Sequence, residues 1–430
     1  MSVADPEAAP VAGRGPLAGL RVLDVTSTIV GPTATLILGE QGAEVIKVEP
    51  PEGDVMRRLG GRPREPGLSP KFLHFNRNKR SVVLDLKTGE GREVMRRLAE
   101  RADVFVSNMR PRALGRLGLG WEALSALNPR LVHCTIVGFL GGGPYEGAPA
   151  YDTIIQGLSG VAGAHVEPFG EPRFAPFVLA DHVTGITAAQ AICAALLARA
   201  GSGRGQAIEV PMFETMAGFV LMQHLDQRTF DRDGHMGDPR IMSPDARPLR
   251  TRDGFICVSA NTDAQVRAFF EATGRQDLAE DPRFSTVAAR IIHVDAFFRL
   301  RAEAMLERPT AEWVEVLRRH DVPAMPCHTL QSLLEDPQLR ASGVVTKEKN
   351  ENGEDAMLGL RHASRYGESG VAPSRMAPRL GEHGPEILRE LGYDEAEARR
   401  LLAARAGVSP EGVSPEGASS QGASPEVPAS

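Results

Sequence analysis

LRVLDVTSTIVGPTATLILGEQGAEVIKVE, residues 20–49, reads as a strand, a turn, a helix and a second strand. The apolar run at 20–25 is short and breaks into Thr-Ser-Thr and then Gly31-Pro32. TATLILGEQG carries its apolar residues at helical spacing and closes on Gly42, a residue free to take the left-handed conformation that ends helices. AEVIKVE, residues 43–49, is β-branched and stops at Pro50-Pro51. A strand–helix–strand unit of this kind implies parallel strands.

The alternation continues outward. SVVLDL (81–86) is a strand, and a helix follows over 88–101 with Thr88 as its N-cap. ADVFVSN and LVHCTIVGF are further strands around a helix at 121–127, and helices at 152–161 and 183–200 lead to the strand QAIEVPM. The fold class is therefore α/β, with a mostly parallel Rossmann-like sheet, helices on both faces, and ligands expected at the carboxyl ends of the strands. After residue 225 the run QRTFDRDGHMGDPRIMSPDARP has no periodicity, and DGFICVSA with helices near 263–273, 293–307 and 310–320 forms a smaller α+β domain. The expected division is a disordered N-terminus at 1–16, a large α/β domain at 17–224, a linker and small domain at 225–345, a segment returning to the large domain at 346–405, and a disordered tail at 406–430. The tail repeats VSPEG and has almost nothing to bury.

Composition limits the function classes. With 49 basic against 55 acidic residues the formal charge is −6, which argues against a nucleic-acid or membrane-surface binder. No signal peptide stands at the start, and apolar stretches such as 186–198 fall short of the roughly 20 residues that span a bilayer. Cys134, Cys193, Cys257 and Cys327 lie far apart, suggesting buried free thiols in a reducing cytoplasm and neither zinc nor a disulfide framework. No GxGxxG follows the first strand and no P-loop is present, so a nicotinamide cofactor is disfavoured. What the strands do offer at their ends is a set of basic and amide side chains: Asn78-Lys79-Arg80, Lys87, Asn108, Arg110 and Arg116. Such a set suits several phosphates, but composition alone favours a solvated charged rim.

Longer blocks are more specific. Residues 17–57, FNRNKRSVVLDLKTGEGR (75–92), residues 102–139, AYDTIIQGLSGV (150–161) and LGEHGPEILRELGY (380–393) resemble, in order, the blocks of the class III CoA-transferase family, which also contains the α-methylacyl-CoA racemases. The resemblance implies that Asp181, in VLADHVTGITAAQ, is the nucleophile that carries coenzyme A through a covalent intermediate. Its position before an apolar helix agrees, since free helical N–H groups would favour the carboxylate, although an ordinary N-cap would look the same. For coenzyme A the resemblance implies Leu84 and Met109 beside the adenine, Asn108 on a polar edge, and Lys87 and Arg116 on phosphates. Tyr151 falls where the acyl group is lined, at a position where the racemases carry a histidine. His182 could substitute for that imidazole, or simply begin a helix. The partners implied are an acyl-CoA and a free carboxylic acid, such as a small dicarboxylate, with a second copy in an interlocked homodimer; no metal and no resident cofactor are expected.

Two features depart from the family pattern. The glycine run that closes over the site in some transferases is absent from GHMGDPRIMSPDARP, leaving Gly141-Gly142-Gly143 as another candidate lid. Ile29 stands where some members have an amide that contacts the acceptor. A racemase or epimerase, and a non-catalytic acyl-CoA-binding protein, are the alternatives.

Overall fold

The computed structural model describes residues 15–349, 355–370 and 374–403. The disorder expected for the first fourteen residues and for 406–430 lies outside these, whereas Gly15 is tied down by its N–H, which donates to the Ser369 carbonyl at 3.0 Å.

Six strands form one parallel sheet: β1 (Arg21–Val25), β2 (Glu44–Glu49), β3 (Lys79–Val83), β4 (Val104–Ser107), β5 (Val132–Val137) and β6 (Ala207–Pro211). Their order is β3-β2-β1-β4-β5-β6. Register follows the two-residue pleat, with Val22 opposite Val45 and Val104, and Leu23 opposite Ile46 and Phe105. Val22, Val45 and Val104 bury on one face against the helices α1 (Val30–Glu40) and α3 (Leu179–Ser202). Leu23, Ile46 and Phe105 bury on the other, beneath α2 (Gly89–Glu100). Burying both faces is why these strands read as near-continuous apolar runs. The short helix Gly384–Glu390 returns Ile387 and Leu388 to this second face.

Local chemistry sets the element ends. The Thr88 Oγ1 caps α2 by accepting from the Gly91 N–H at 3.0 Å. α1 begins at Val30, so Gly31 and Pro32 lie inside its first turn, where proline needs no intrahelical donor. Gly31 is obligatory there, because a Cβ would stand 2.3 Å from that of Thr26. β3 runs over 79–83 and not 81–86, placing Leu84 just past its carboxyl end. The helix expected at 183–200 starts earlier, at Leu179, and spans 24 residues. With a mean hydropathy of 1.5 it is long and apolar enough by composition to cross a membrane, which the shorter apolar stretch in the sequence had not suggested. Here it lies against α1, and Gly185 lets the two approach: a Cβ would meet the Val30 carbonyl at 2.7 Å.

A separate core is built on a three-stranded antiparallel sheet, Leu249–Arg250, Phe255–Val258 and Ala324–Pro326, packed by Phe269, Phe270, Phe284, Phe297 and Trp313. All four cysteines are free thiols, but Cys257 and Cys327 are exposed on this sheet, contrary to the expectation of burial, which holds for Cys134.

Beneath the carboxyl ends of β1–β3 lies a buried set of charges. Asp24 accepts from the Thr35 hydroxyl at 2.8 Å and from Lys79 Nζ at 2.9 Å. Lys47 Nζ pairs with Asp54 at 3.0 Å and donates to the Thr26 carbonyl at 2.9 Å. Arg57 grips Glu49 through two bonds of 2.7 Å. Burial alone would raise the Asp24 carboxyl, but Lys79 and Lys47 hold it well below the usual carboxylate range. Lys79→Met should leave Asp24 buried without its closest cation and lower stability by about 3–5 kcal/mol. Urea unfolding checks this, and a loss below about 1 kcal/mol would mean that the network is redundant.

Candidate active site

The strand order reverses between β1 and β4, so the chain leaves those strands in opposite directions and opens a crevice at their carboxyl ends. The residues after β1 are held from every side. The Thr26 N–H donates to Asp24 at 3.0 Å, the Thr28 N–H donates to Asp54 at 3.2 Å, and Asn108 clamps Ser27, accepting its N–H at 3.1 Å and donating to its carbonyl at 2.9 Å. Thr28 is a β-branched residue with φ of 71°, in the left-handed region that such residues avoid. Strain of this kind persists only where the surroundings over-determine it, and they do here.

The crevice is a cleft of about 320 Å³ lined by Ser27, Thr28, Asn108, Met109, Tyr151 and Asp181. Four of the residues expected to form a site thus meet in one place: Asp181, Tyr151, Asn108 and Met109. The other three stand outside its lining. Leu84 is buried in the apolar layer against which Met109 also packs. Lys87 and Arg116 are exposed beyond β3 and at the end of the short helix Pro111–Arg116, and among the described residues neither side chain has an ion-pair or hydrogen-bond partner. The Asn108 amide, expected on a ligand's polar edge, has its oxygen and nitrogen engaged with Ser27. His182 packs its ring 5.7 Å from that of Phe75 and is not among the residues lining the cleft.

Asp181 is 7% exposed and lies in the first turn of α3, not ahead of it. The helix terminus is capped by a different carboxylate. Asp152 accepts the Ala180 N–H at 2.8 Å and the Asp181 N–H at 3.3 Å. Gln156 donates to the second oxygen of Asp152 at 2.7 Å, and itself accepts the Ala175 N–H at 2.9 Å. The free N–H groups expected to favour the Asp181 carboxylate are therefore directed at Asp152. Burial, and then the neighbouring Asp152 charge, raise the Asp181 carboxyl to about 7. Sequence reasoning missed Asp152, because an aspartate at the first position of its own helix looks like an ordinary acidic first-turn residue.

The Gly141–Gly143 turn at the cleft mouth is tethered. Its Leu140, Gly141 and Gly142 N–H groups donate to Glu214, Glu209 and Glu146, at 3.2, 2.9 and 2.9 Å. Among the described residues no group of three or more His, Cys, Asp or Glu side chains could hold a metal ion.

Comparison with known proteins identifies the chain's relatives. The model of CoA-transferase family III matches residues 17–384. The chain is similar to the succinate–glutarate CoA-transferase of Agrobacterium fabrum, at 34% identity over 401 residues, which cover 89% of this chain and 97% of that protein. It is also similar to the formyl-CoA:oxalate CoA-transferase of Escherichia coli O157:H7, at 33% identity over 409 residues, covering 89% and 97%. Among solved structures, a CAIB/BAIF family protein from Brucella suis superposes with a TM-score of 0.74 at 33% identity, covering 88% of this chain and all of that one.

The raised Asp181 carboxyl has a measurable consequence. Its folded pKa of about 7 lies above the ordinary 3.8, so ionisation opposes folding. The cost is absent below about pH 4, where both states are protonated, grows between about pH 4 and 7, and is complete above 7. Asp181→Asn should therefore unfold with the wild type near pH 4 and be more stable at pH 8, by on the order of 2–4 kcal/mol. Equal stabilities at pH 8, in matched denaturant titrations, would contradict the burial argument.

Proposed function

The chain belongs to CoA-transferase family III, and on that premise we propose that this enzyme moves coenzyme A from an acyl-CoA donor to a free carboxylic acid through covalent intermediates on Asp181. The observation that carries the reading is the buried Asp181 carboxylate lining the cleft at the crevice end of α3, with its backbone N–H accepted by Asp152. The Asp181 carboxylate attacks the donor's thioester carbonyl, forming an aspartyl–acyl anhydride and releasing the CoA thiolate. The thiolate then attacks the aspartyl carbonyl, and the donor acid leaves. The acceptor carboxylate attacks the resulting aspartyl-CoA thioester, giving a second anhydride and the thiolate again. Attack of the thiolate on the acceptor's carbonyl yields the new acyl-CoA and restores the Asp181 carboxylate. Each step exchanges one acyl bond for another, so the sequence needs neither a metal nor a redox cofactor.

The raised pKa suits this role. A carboxylate that has already lost most of its water shell is a better nucleophile than a hydrated one, and the closing substrates complete the desolvation. We assign Tyr151 to the acyl site, Leu84 and Met109 to the adenine, and the unpartnered Lys87 and Arg116 to phosphates. Asn108 acts in this reading through the Ser27 loop that it clamps. Small dicarboxylates fit as acceptor acids, a reading supported by the succinate, glutarate and oxalate in the relatives' names. Leu197, Phe219 and Met222 are exposed on α3 and on the helix Met212–His224, and we take them as surface that a second copy covers in a cytoplasmic homodimer.

Asp181→Ala should abolish transfer while acyl-CoA still binds, because a nucleophile contributes to the transition state more than to ground-state binding. In the same calorimetric assay Lys87→Ala and Arg116→Ala should each weaken acyl-CoA binding by roughly ten- to a hundredfold, the size of a lost charge-assisted contact. Turnover of the Asp181→Ala chain above a few per cent of wild type would remove the covalent assignment. Rapid α-deuterium exchange of a 2-methylacyl-CoA without acceptor acid would favour the racemase.

A further inference from the structure

The core built on Leu249–Arg250, Phe255–Val258 and Ala324–Pro326 contains a cavity of about 420 Å³ that the proposed reaction does not use. The helix Val294–Met305 and the chain at 257–261 line it, as do Val287 and Ile291, whose side chains are partly exposed. Arg240, Arg247, Arg290 and Arg301 line it. Three of these have carboxylate partners: Arg240 with Asp238, Arg247 with Asp245, and Arg290 with Asp263.

Arg301 has none among the described residues. It is 9% exposed and its only hydrogen bond runs from one Nη to the Val258 carbonyl. Its Nε is buried without an acceptor, and its second Nη has no acceptor among the described residues. The guanidinium lies over the rings of Phe298 and Phe297, at 5.1 and 5.4 Å, which supports its faces and leaves its edge donors unanswered. Burial draws its pKa down to about 10, with no anion to restore it. A structural arginine at this depth normally finds an oxygen anion, as Arg290 does in Asp263.

We propose that this cavity is a second binding site, separate from the Asp181 cleft, for a small monocarboxylate whose oxygen meets the second Nη of Arg301 and whose short hydrocarbon body packs on Phe298, Val287 and Ile291. One uncompensated cation matches one anionic charge. The volume exceeds what a bare inorganic anion fills, and Val287, Ile291, Val294 and Phe298 supply apolar wall among the polar residues Arg240, Asp245, Arg247 and Asn261, so an apolar body is part of the ligand. The assignment stands apart from the reaction proposed for Asp181 and survives its failure.

Calorimetry on the full chain tests it, with hexanoate as the probe and with inorganic phosphate and chloride as controls at matched ionic strength. Hexanoate should bind saturably, phosphate much more weakly and chloride not at all. Arg301→Met should weaken hexanoate at least tenfold, whereas Asp181→Ala should leave this binding in place. Ile291→Trp removes no charge and changes only a partly exposed side chain, so it folds even if the Arg301 variant does not. By narrowing the cavity it should also cost at least tenfold. The proposal is overturned by absence of saturable hexanoate binding, by phosphate binding as tightly as hexanoate, by an unchanged affinity in Ile291→Trp, or by loss of hexanoate in Asp181→Ala.

Discussion

Asp152 accepts the first N–H groups of a 24-residue helix, and the helix brings Asp181 with it. This constraint fixes where the candidate nucleophile stands and also sets its chemistry. Two carboxylates meet at one helix terminus, and Asp152 is the one that receives the backbone N–H groups. The other is left with burial and a negative neighbour, both of which raise its pKa. A pair of titratable groups with divergent environments is a common arrangement where acid–base or nucleophilic work is done. Gln156 extends the constraint, since it holds the second oxygen of Asp152 and also the chain leading into the helix at Ala175.

The opposite wall of the cleft depends on the charges under β1–β3. Asp24 and Lys47 hold Thr26, Asp54 holds Thr28, and the strained Thr28 backbone is the outcome. A buried network contributes little net stability compared with an apolar core, and here its bonds to Thr26 and Thr28 hold the loop in one geometry. Both walls thus rest on buried carboxylates, one satisfied by lysine and the other by a helix terminus.

Much of this was legible in the residues. The two-residue pleat of 20–25 and 43–49, the cap at Thr88 and the proline and glycine punctuation place the parallel strands and most helices correctly, because these are local signals. The α3 start was not legible: its cap, Asp152, comes from a helix that precedes it by more than twenty residues in the chain, and no local pattern marks that pairing. For the same reason Asp181 was read as a carboxylate favoured by the helix, when the structure raises its pKa. The site was legible chiefly through the resemblance. It singled out Tyr151, Asn108, Met109 and Asp181, which line one cleft, but could not foresee that the Asn108 amide would be occupied by Ser27, or that Arg301 would be buried without a carboxylate, since both depend on contacts distant in sequence.

Oxygen isotope transfer tests the covalent role of Asp181 most directly. An acceptor acid labelled with oxygen-18 in its carboxylate is turned over with an unlabelled acyl-CoA, and the peptide containing Asp181 is then weighed by mass spectrometry. In the proposed sequence the acceptor's oxygen bridges the second anhydride and stays on the protein when the thiolate takes the acyl group, so the Asp181 peptide should gain heavy oxygen. Transfer of the label straight into the released donor acid, with none on Asp181, would contradict the account.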